Sequence, residues 1–393
     1  MMYAQTALLL TALAAAATCD TPSYRSALLE LHKNVVEIPS NSGLEAELGI
    51  WLHEYFQNNS WSVTTQAVPP VANTPEGDSR INVLASPAGN ITQFSPKVIL
   101  TTHFDTVPPH IGYGIEEGPI TTDTIISGRG SVDAKGSLAA IVIAVDELVK
   151  AGKVSPADVA VGLVVGEEAY GDGIKALSDY FIENPTDLSA VIFGEPTEAK
   201  LACGHKGVLG CTLNAKGVAG HSGYPEVGKS ATQFLIHALD EILLADLGTS
   251  EQFGNTTVNV GKLLGGEVNN VIAASASAGM AIRVALGPED GGQKIVKGRL
   301  DSIIQEIDST GLSIDCSEGY GLVELDCDVD GFETAVMKYG TDIPGFKAEG
   351  NYSKILYGPG TIFVAHTDHE NITVGDLELA VEDYQKLVLN ALE

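Results

Sequence analysis

The sequence predicts an α/β chain: a mostly parallel sheet with helices on both faces, interrupted by a smaller inserted α+β domain. Three observations carry that reading. Nearly all-apolar runs of strand length, such as Lys97–His103 and Leu188–Phe193, alternate with helical periodicities, and strands without a polar side belong to sheets covered on both faces. At about Lys206 these runs give way to alternating patterns of half-exposed strands. The length of 393 residues, 44% of them hydrophobic, supplies material for more than one core.

The elements follow in order. Residues 1–19 read as a secretion signal, because Leu8–Ala17 is apolar yet too short to span a bilayer and small residues follow it. An extracellular chain is therefore expected. Leu44, Leu48, Trp51, Leu52, Tyr55 and Phe56 share one helical face within Gly43–Ser60. Strands are expected at Ile81–Ser86, Lys97–His103, Asp158–Val165 and Leu188–Phe193, with helices at Ser137–Lys153 and Ile174–Phe181. These complete the first part of the larger domain, 20–206.

Over 207–318 the predicted order is strand Gly207–Ala215, helix Ser230–Ala245, strands Thr256–Leu264 and Val271–Val284, then a helix and strand within Lys294–Cys316. That β-α-β-β-α-β order is ferredoxin-like. The larger domain resumes over 319–393, with a helix at Phe332–Tyr339, a loop at Tyr357–Gly360, an apolar strand at Thr361–Val364 and a terminal helix from Gly375.

Fifty-one acidic against 22 basic side chains give a net charge of −29, which argues against nucleic-acid partners and anionic membrane surfaces. No segment after the signal is long and apolar enough to cross a membrane. Cleavage near residue 19 would leave Cys203, Cys211, Cys316 and Cys327 of the five cysteines, an even set compatible with two disulfides, and three pairings are open. Sequons stand at Asn58, Asn90, Asn255, Asn351 and Asn371, and suit a glycoprotein.

The residues with chemistry gather where apolar strands stop. His103 and Asp105 follow Lys97–Thr102, and Glu167 and Glu168 follow Asp158–Val165. Glu195 follows Leu188–Phe193, His366 follows Thr361–Val364, and Asp133 lies in the glycine-rich loop Gly128–Gly136. Ligands of open α/β sheets bind beyond the carboxyl ends of the strands. Carboxylates crowded on one rim repel one another unless a cation joins them. Two His and three acids without a thiolate suit Zn2+, with Co2+ or Mn2+ as substitutes. A carboxylate shared by two ions would give each three protein ligands.

In order and spacing, these motifs resemble the dizinc amidohydrolases and metallopeptidases that include acetylornithine deacetylase, succinyl-diaminopimelate desuccinylase, aminoacylase and glutamate carboxypeptidase. The matching segments are His103-Phe-Asp105-Thr-Val-Pro, Gly128-Arg-Gly-Ser-Val-Asp133, Glu167-Glu168, Gly194-Glu195-Pro-Thr and Ala365-His366 with Glu370. The resemblance implies a zinc-peptidase-like catalytic domain and an inserted lid and dimerisation domain. It implies Asp133 as the bridge between two zinc ions, His103 and Glu195 on one, and Glu168 and His366 on the other. His369 competes with His366, and the spacing to Glu370 favours His366.

By the same resemblance Asp105 would orient His103, and Glu167 would be the general base. His221, in Gly217-Val-Ala-Gly-His221, would donate to the oxyanion, often across a homodimer interface. Asn270 and Arg283 would bind a substrate carboxylate. The implied substrate is a peptide cut next to a free carboxylate, or an N-acyl amino acid; a non-catalytic metal-binding protein is the remaining alternative. The loop Gly350–Lys354 lacks the Thr-Asp pair that such relatives carry there.

Overall fold

A computed structural model describes residues 21–89 and 94–393, so the expected signal at 1–19 and the sequon at Asn90 lie outside the described residues. The larger domain is built on a six-stranded sheet in the spatial order Ser62–Val68, Arg80–Ser86, Val159–Val164, Val98–His103, Ala190–Gly194, Ser353–Tyr357. The last four run parallel, and the first two add antiparallel pairings at one edge. Alternation along Val98–His103 explains the two-sided burial: Val98 and Leu100 enter one core, Ile99 the other.

One face carries helices α1 (Arg25–Glu37), α2 (Ala46–Asn58) and α3 (Lys135–Lys150), together with the terminal helix of the chain. Helix α3 is buried along most of its length, as its near-continuous apolar sequence requires. Helix α4 (Asp172–Glu183) covers the other face through Ile174, Leu177 and Phe181, where Phe346 also packs.

The inserted domain is a four-stranded antiparallel sheet in the order Thr257–Gly265, Ser275–Val284, Gly207–Lys216, Leu312–Cys316. Helices α5 (Ala231–Leu244) and α6 (Gly292–Asp308) pack on one side around Leu209, Leu213, Leu235 and Leu300. This is the ferredoxin-like order read from the sequence. Terminal helix α7 (Val374–Leu392) starts with a reciprocal cap: Thr373 Oγ1 accepts from the Asp376 N–H at 3.0 Å while the Asp376 carboxylate accepts from the Thr373 N–H.

Two expectations are corrected. Phe332–Tyr339 is not a helix: Thr334–Met337 is a strand lying parallel to Leu201–His205. Its β-branched Thr334 and Val336 and the inward turn of Met337 suit period two, and pairing with a distant strand overrides local helical spacing. Thr361–Val364 is not a strand either. The strand is Ser353–Tyr357, ended by Gly358-Pro359-Gly360, and Ile362–Val364 is a short 3-10 turn capped by the Thr361 hydroxyl.

Cys203, Cys211, Cys316 and Cys327 form two disulfides, Cys203–Cys327 and Cys211–Cys316. They stand on either side of the two segments that join the domains, which pair with each other through Val323↔His205 and Val208↔Tyr320. Among the described residues no helix is long and apolar enough to cross a membrane.

Candidate metal centre and active site

Each acid or imidazole reaches the rim for a local reason. Strand Val98–His103 ends with His103 fully packed, and Ala190–Gly194 hands over to Glu195 at Gly194, where a Cβ would lie 2.8 Å from Ser137 Cβ. Asp133 sits in the turn before α3, and Glu370 fixes that turn. Its carboxylate accepts from Arg129 Nη1 at 2.6 Å and from the N–H groups of Gly130 at 2.9 Å, Val132 at 3.3 Å and Asp133 at 3.2 Å. Glu167 and Glu168 occupy a tight loop after Val165, and their N–H groups donate to the two oxygens of Asp105 at 3.0 and 3.2 Å. His366 follows the 3-10 turn in a left-handed conformation (φ 63°), a strained backbone of the kind found at functional sites.

The result is two adjoining clusters that share Asp133. One holds His103, Asp133 and Glu195; the other holds Asp133, Glu168 and His366, and within each the potential ligand atoms lie within 4.8 Å of one another. His103 Nε2 lies 3.2 Å from Asp133 Oδ1 and 3.5 Å from Glu195 Oε1. His366 Nε2 lies 3.2 Å from Asp133 Oδ2 and 2.9 Å from Glu168 Oε2. The two carboxylate oxygens of Asp133 thus face different imidazoles. The His369 ring is 71% exposed and, among the described residues, pairs only with Asp368, whereas His366 joins the Asp133 cluster.

Asp105 is placed slightly differently from the expectation. His103 Nδ1 is closest to the main-chain carbonyl of Asp105, at 3.0 Å, with the carboxylate at 3.5 Å. The carboxylate spends its strongest contacts on Ser42 Oγ at 2.7 Å and on the Glu167–Glu168 backbone. Asp105 therefore fixes the ring of His103 and the loop of the two glutamates together.

The electrostatics follow from burial and crowding. Burial, reinforced by Glu195, pushes the Glu167 carboxyl well above the usual carboxylate range, and burial does the same to Glu195. Burial and the nearby Asp133 raise Glu168. For Asp133 the paired imidazoles of His103 and His366 outweigh burial and hold the carboxyl low. Hydrogen bonds to Asp133 and Glu168 lift His366 to about 10. Among the described residues no Lys or Arg forms an ion pair with Asp133, Glu167, Glu168 or Glu195. The donor set is two imidazoles and an excess of carboxylates around one shared acid, which fits a pair of divalent cations.

Other residues divide by distance. Arg283 is half-buried at the base of the inserted sheet, opposite Val208, and its charge acts on His205 and Tyr320. Among the described residues it is the one arginine whose guanidinium has neither a hydrogen bond nor an ion pair. His221 and Asn270 lie at the other end of that sheet, where the Ser222 N–H donates to Asn270 O. Eight residues of strand separate the registers Arg283↔Val208 and Ser275↔Lys216, so about 27 Å lies between the two ends. One protomer does not bring Asn270 and Arg283 together. His221 is exposed, and its Nδ1 accepts from the Gly223 N–H at 3.0 Å, which leaves the proton on Nε2.

Sequence reasoning missed Thr341-Asp342. The Thr-Asp pair sought in Gly350–Lys354 stands earlier, and Asp342 lines a small cavity with Thr101, His103 and Glu195. Burial raises Asp342 to about 7 and leaves one of its oxygens without a partner. The signal was the short Gly340-Thr-Asp run, which follows the end of the strand Thr334–Met337.

A parallel-sheet domain with two carboxylate–imidazole clusters at its rim, carrying an inserted ferredoxin-like lid, is the build of a metal-dependent hydrolase. Comparison with known proteins agrees. Residues 203–308 match the model of a peptidase dimerisation domain. A peptidase M20 domain-containing protein of Sordaria macrospora is 48% identical, covering 95% of this chain and 86% of its own length. A probable carboxypeptidase of Aspergillus terreus is 41% identical, over 96% of this chain and 89% of its own. A di-peptidase from Saccharomyces cerevisiae has the same fold, with a TM-score of 0.72 at 15% identity over 94% and 97% of the two chains. The chain belongs to the M20 peptidase family, and it is an enzyme of that hydrolase class.

Proposed function

We propose that this protein is a secreted, zinc-dependent carboxypeptidase-type metallopeptidase that hydrolyses an amide next to a free carboxylate. The observation that carries the reading is Asp133 standing between His103 and His366, with Glu195 and Glu168 completing two three-residue ligand sets. Bound there, two divalent cations supply polarisation of the scissile carbonyl and acidification of the attacking water. Glu167 is next to a ligand but belongs to neither set, and its carboxylate accepts no hydrogen bond from the described residues. It takes the proton of the attacking water and passes it to the leaving amine, and its burial, which raises its affinity for a proton, suits that exchange.

Arg283, unpaired at the junction of the domains, presents a fork to the substrate carboxylate. His221 and Asn270 are too far away to act in the same protomer, and a second subunit joined through the inserted domain brings them over the site. The Nε2–H of His221 then donates to the oxyanion, and the Asn270 amide meets the substrate carboxylate. The two disulfides fit an oxidising, extracellular location.

The test is hydrolysis of N-blocked dipeptides against N-acetyl amino acids by zinc-loaded protein, with and without a chelator. Release of the C-terminal residue from the dipeptides, lost with the chelator, is expected. Preference for the N-acetyl amino acids would make it a deacylase using the same centre. Inactivity on both would overturn the carboxypeptidase reading.

A further inference from the structure

We propose that Arg80 is a positioning residue that holds the loop of Glu167 and Glu168 in its productive place. What that loop does rests on the functional reading above; how it is held rests on the contacts of Arg80. Arg80 opens the strand Arg80–Ser86 and its side chain is fully buried. All five of its N–H donors are used. Nε and Nη2 fork onto Glu45 at 3.1 and 3.2 Å, Nη1 and Nη2 fork onto Asp172 at 2.5 and 3.1 Å, and Nη1 also reaches Pro69 O at 2.9 Å.

The two acids are not arbitrary partners. Asp172 is the first residue of α4, immediately after the loop Gly166–Gly171 that carries both glutamates. That loop closes on itself, with the N–H groups of Tyr170 and Gly171 donating to Gly166 O at 2.9 and 2.7 Å. Its first residue rests on the same guanidinium: a Cβ at Gly166 (φ +74°) would run into Arg80 Nη2 and Asp172 Oδ1. The Tyr170 ring lies over the guanidinium, 5.5 Å from its carbon. Both ends of the loop and one side chain within it therefore sit on Arg80, while Asp105 holds the middle through the Glu167 and Glu168 N–H groups.

Stability does not explain such an arrangement. Burying a guanidinium with the fully buried Glu45 and the partly buried Asp172 carries a desolvation cost that well-packed apolar side chains of the same volume would avoid. What the ionic triad supplies is direction, since a planar fork fixes both the angle and the distance of each acid. Lysine keeps the charge but cannot make either fork. A displacement of about 1 Å at a reacting group is enough to cost about a hundredfold in rate.

The experiment compares wild type with Arg80→Lys and Gly166→Ala. Amide hydrogen exchange is read at Glu167, Glu168, Tyr170 and Gly171, alongside bound zinc per chain, kcat and KM. The expected result in both variants is exchange at those four amides accelerated by about tenfold or more, with helix α3 unchanged. Bound zinc falls from two ions towards one, and kcat drops by about a hundredfold with KM altered only a fewfold. Loop protection and kcat at wild-type values, with only the melting temperature lowered, would overturn the proposal. If Arg80→Lys does not fold, Gly166→Ala and Asp172→Asn decide by the same readouts. Wild-type protein without zinc would defeat the functional reading, and the exchange pattern would still decide the role of Arg80.

Discussion

Replacing Glu370 by Gln probes the support beneath the shared ligand. The change keeps the shape of the side chain and removes its charge. Arg129 is 3% exposed and Glu370 is 1% exposed, and among the described residues the only other hydrogen bond of the guanidinium is to Pro109 O at 3.3 Å. Removing one partner of a buried pair costs about 3–5 kcal/mol, because the remaining charge stays buried. An amide has one acceptor oxygen for two sets of donors, so either Arg129 or the Gly130–Asp133 backbone faces an N–H group instead.

The expected outcome in cation-free protein is a loss of that size, followed through Trp51 and Trp61 fluorescence in urea. Zinc affinity should fall by about ten- to a hundredfold, as for other residues that orient a ligand. The double variant Arg129→Met with Glu370→Leu should recover only the part of the loss due to the unpaired guanidinium, and little of the affinity, because the N–H groups of Gly130, Val132 and Asp133 still lose their acceptor. Wild-type unfolding and wild-type zinc binding in Glu370→Gln would show that this pair does not hold the Asp133 turn.

Further outcomes are expected. Glu167→Gln should keep both ions, by metal analysis, while kcat falls by about 10²–10⁴-fold; loss of zinc instead would remove it from the role of base. His366→Ala should lose one ion and His369→Ala none, measured by equilibrium dialysis. Burial holds His32 and His205 neutral in the fold, each lowered to about 4. Between pH 6.5 and 4 the unfolded chain therefore binds protons that the fold does not, so stability falls with pH, by about 3 kcal/mol for each histidine. Melting temperatures should drop over that window, and less steeply in His32→Gln and His205→Gln; parallel curves would refute the assignment. Finally, mixing and refolding His221→Ala with Glu167→Gln should restore about a quarter of wild-type activity, since half the dimers would be mixed, each with one intact site. No recovery would place His221 in its own subunit's site.

Much of this was legible because the chemistry sits where patterns end. His103, Glu167, Glu168 and Glu195 each follow an all-apolar run, and a buried parallel strand is among the clearest sequence signals. The ferredoxin-like insertion could be read because its strands alternate cleanly about two well-formed helices. Ser62–Val68 escaped notice because it is a half-exposed edge strand, and Leu201–His205 because it is short and ends in Gly-His. Thr334–Met337 was misread because its partner lies over a hundred positions earlier in the chain. Arg80 gave no sign at all: its two acids are 35 and 92 positions away, and no local spacing records that meeting.

The sulfur bridges at the junction have one more consequence. Cys203–Cys327 and Cys211–Cys316, with the short spans 203–211 and 316–327, close a covalent ring that contains both crossings of the backbone. A protease that clips the exposed turn Gly265–Asn270 would release no fragment, because the severed halves remain tied upstream and downstream of the wound. The clipped enzyme would migrate as one species until a reductant parted it into two.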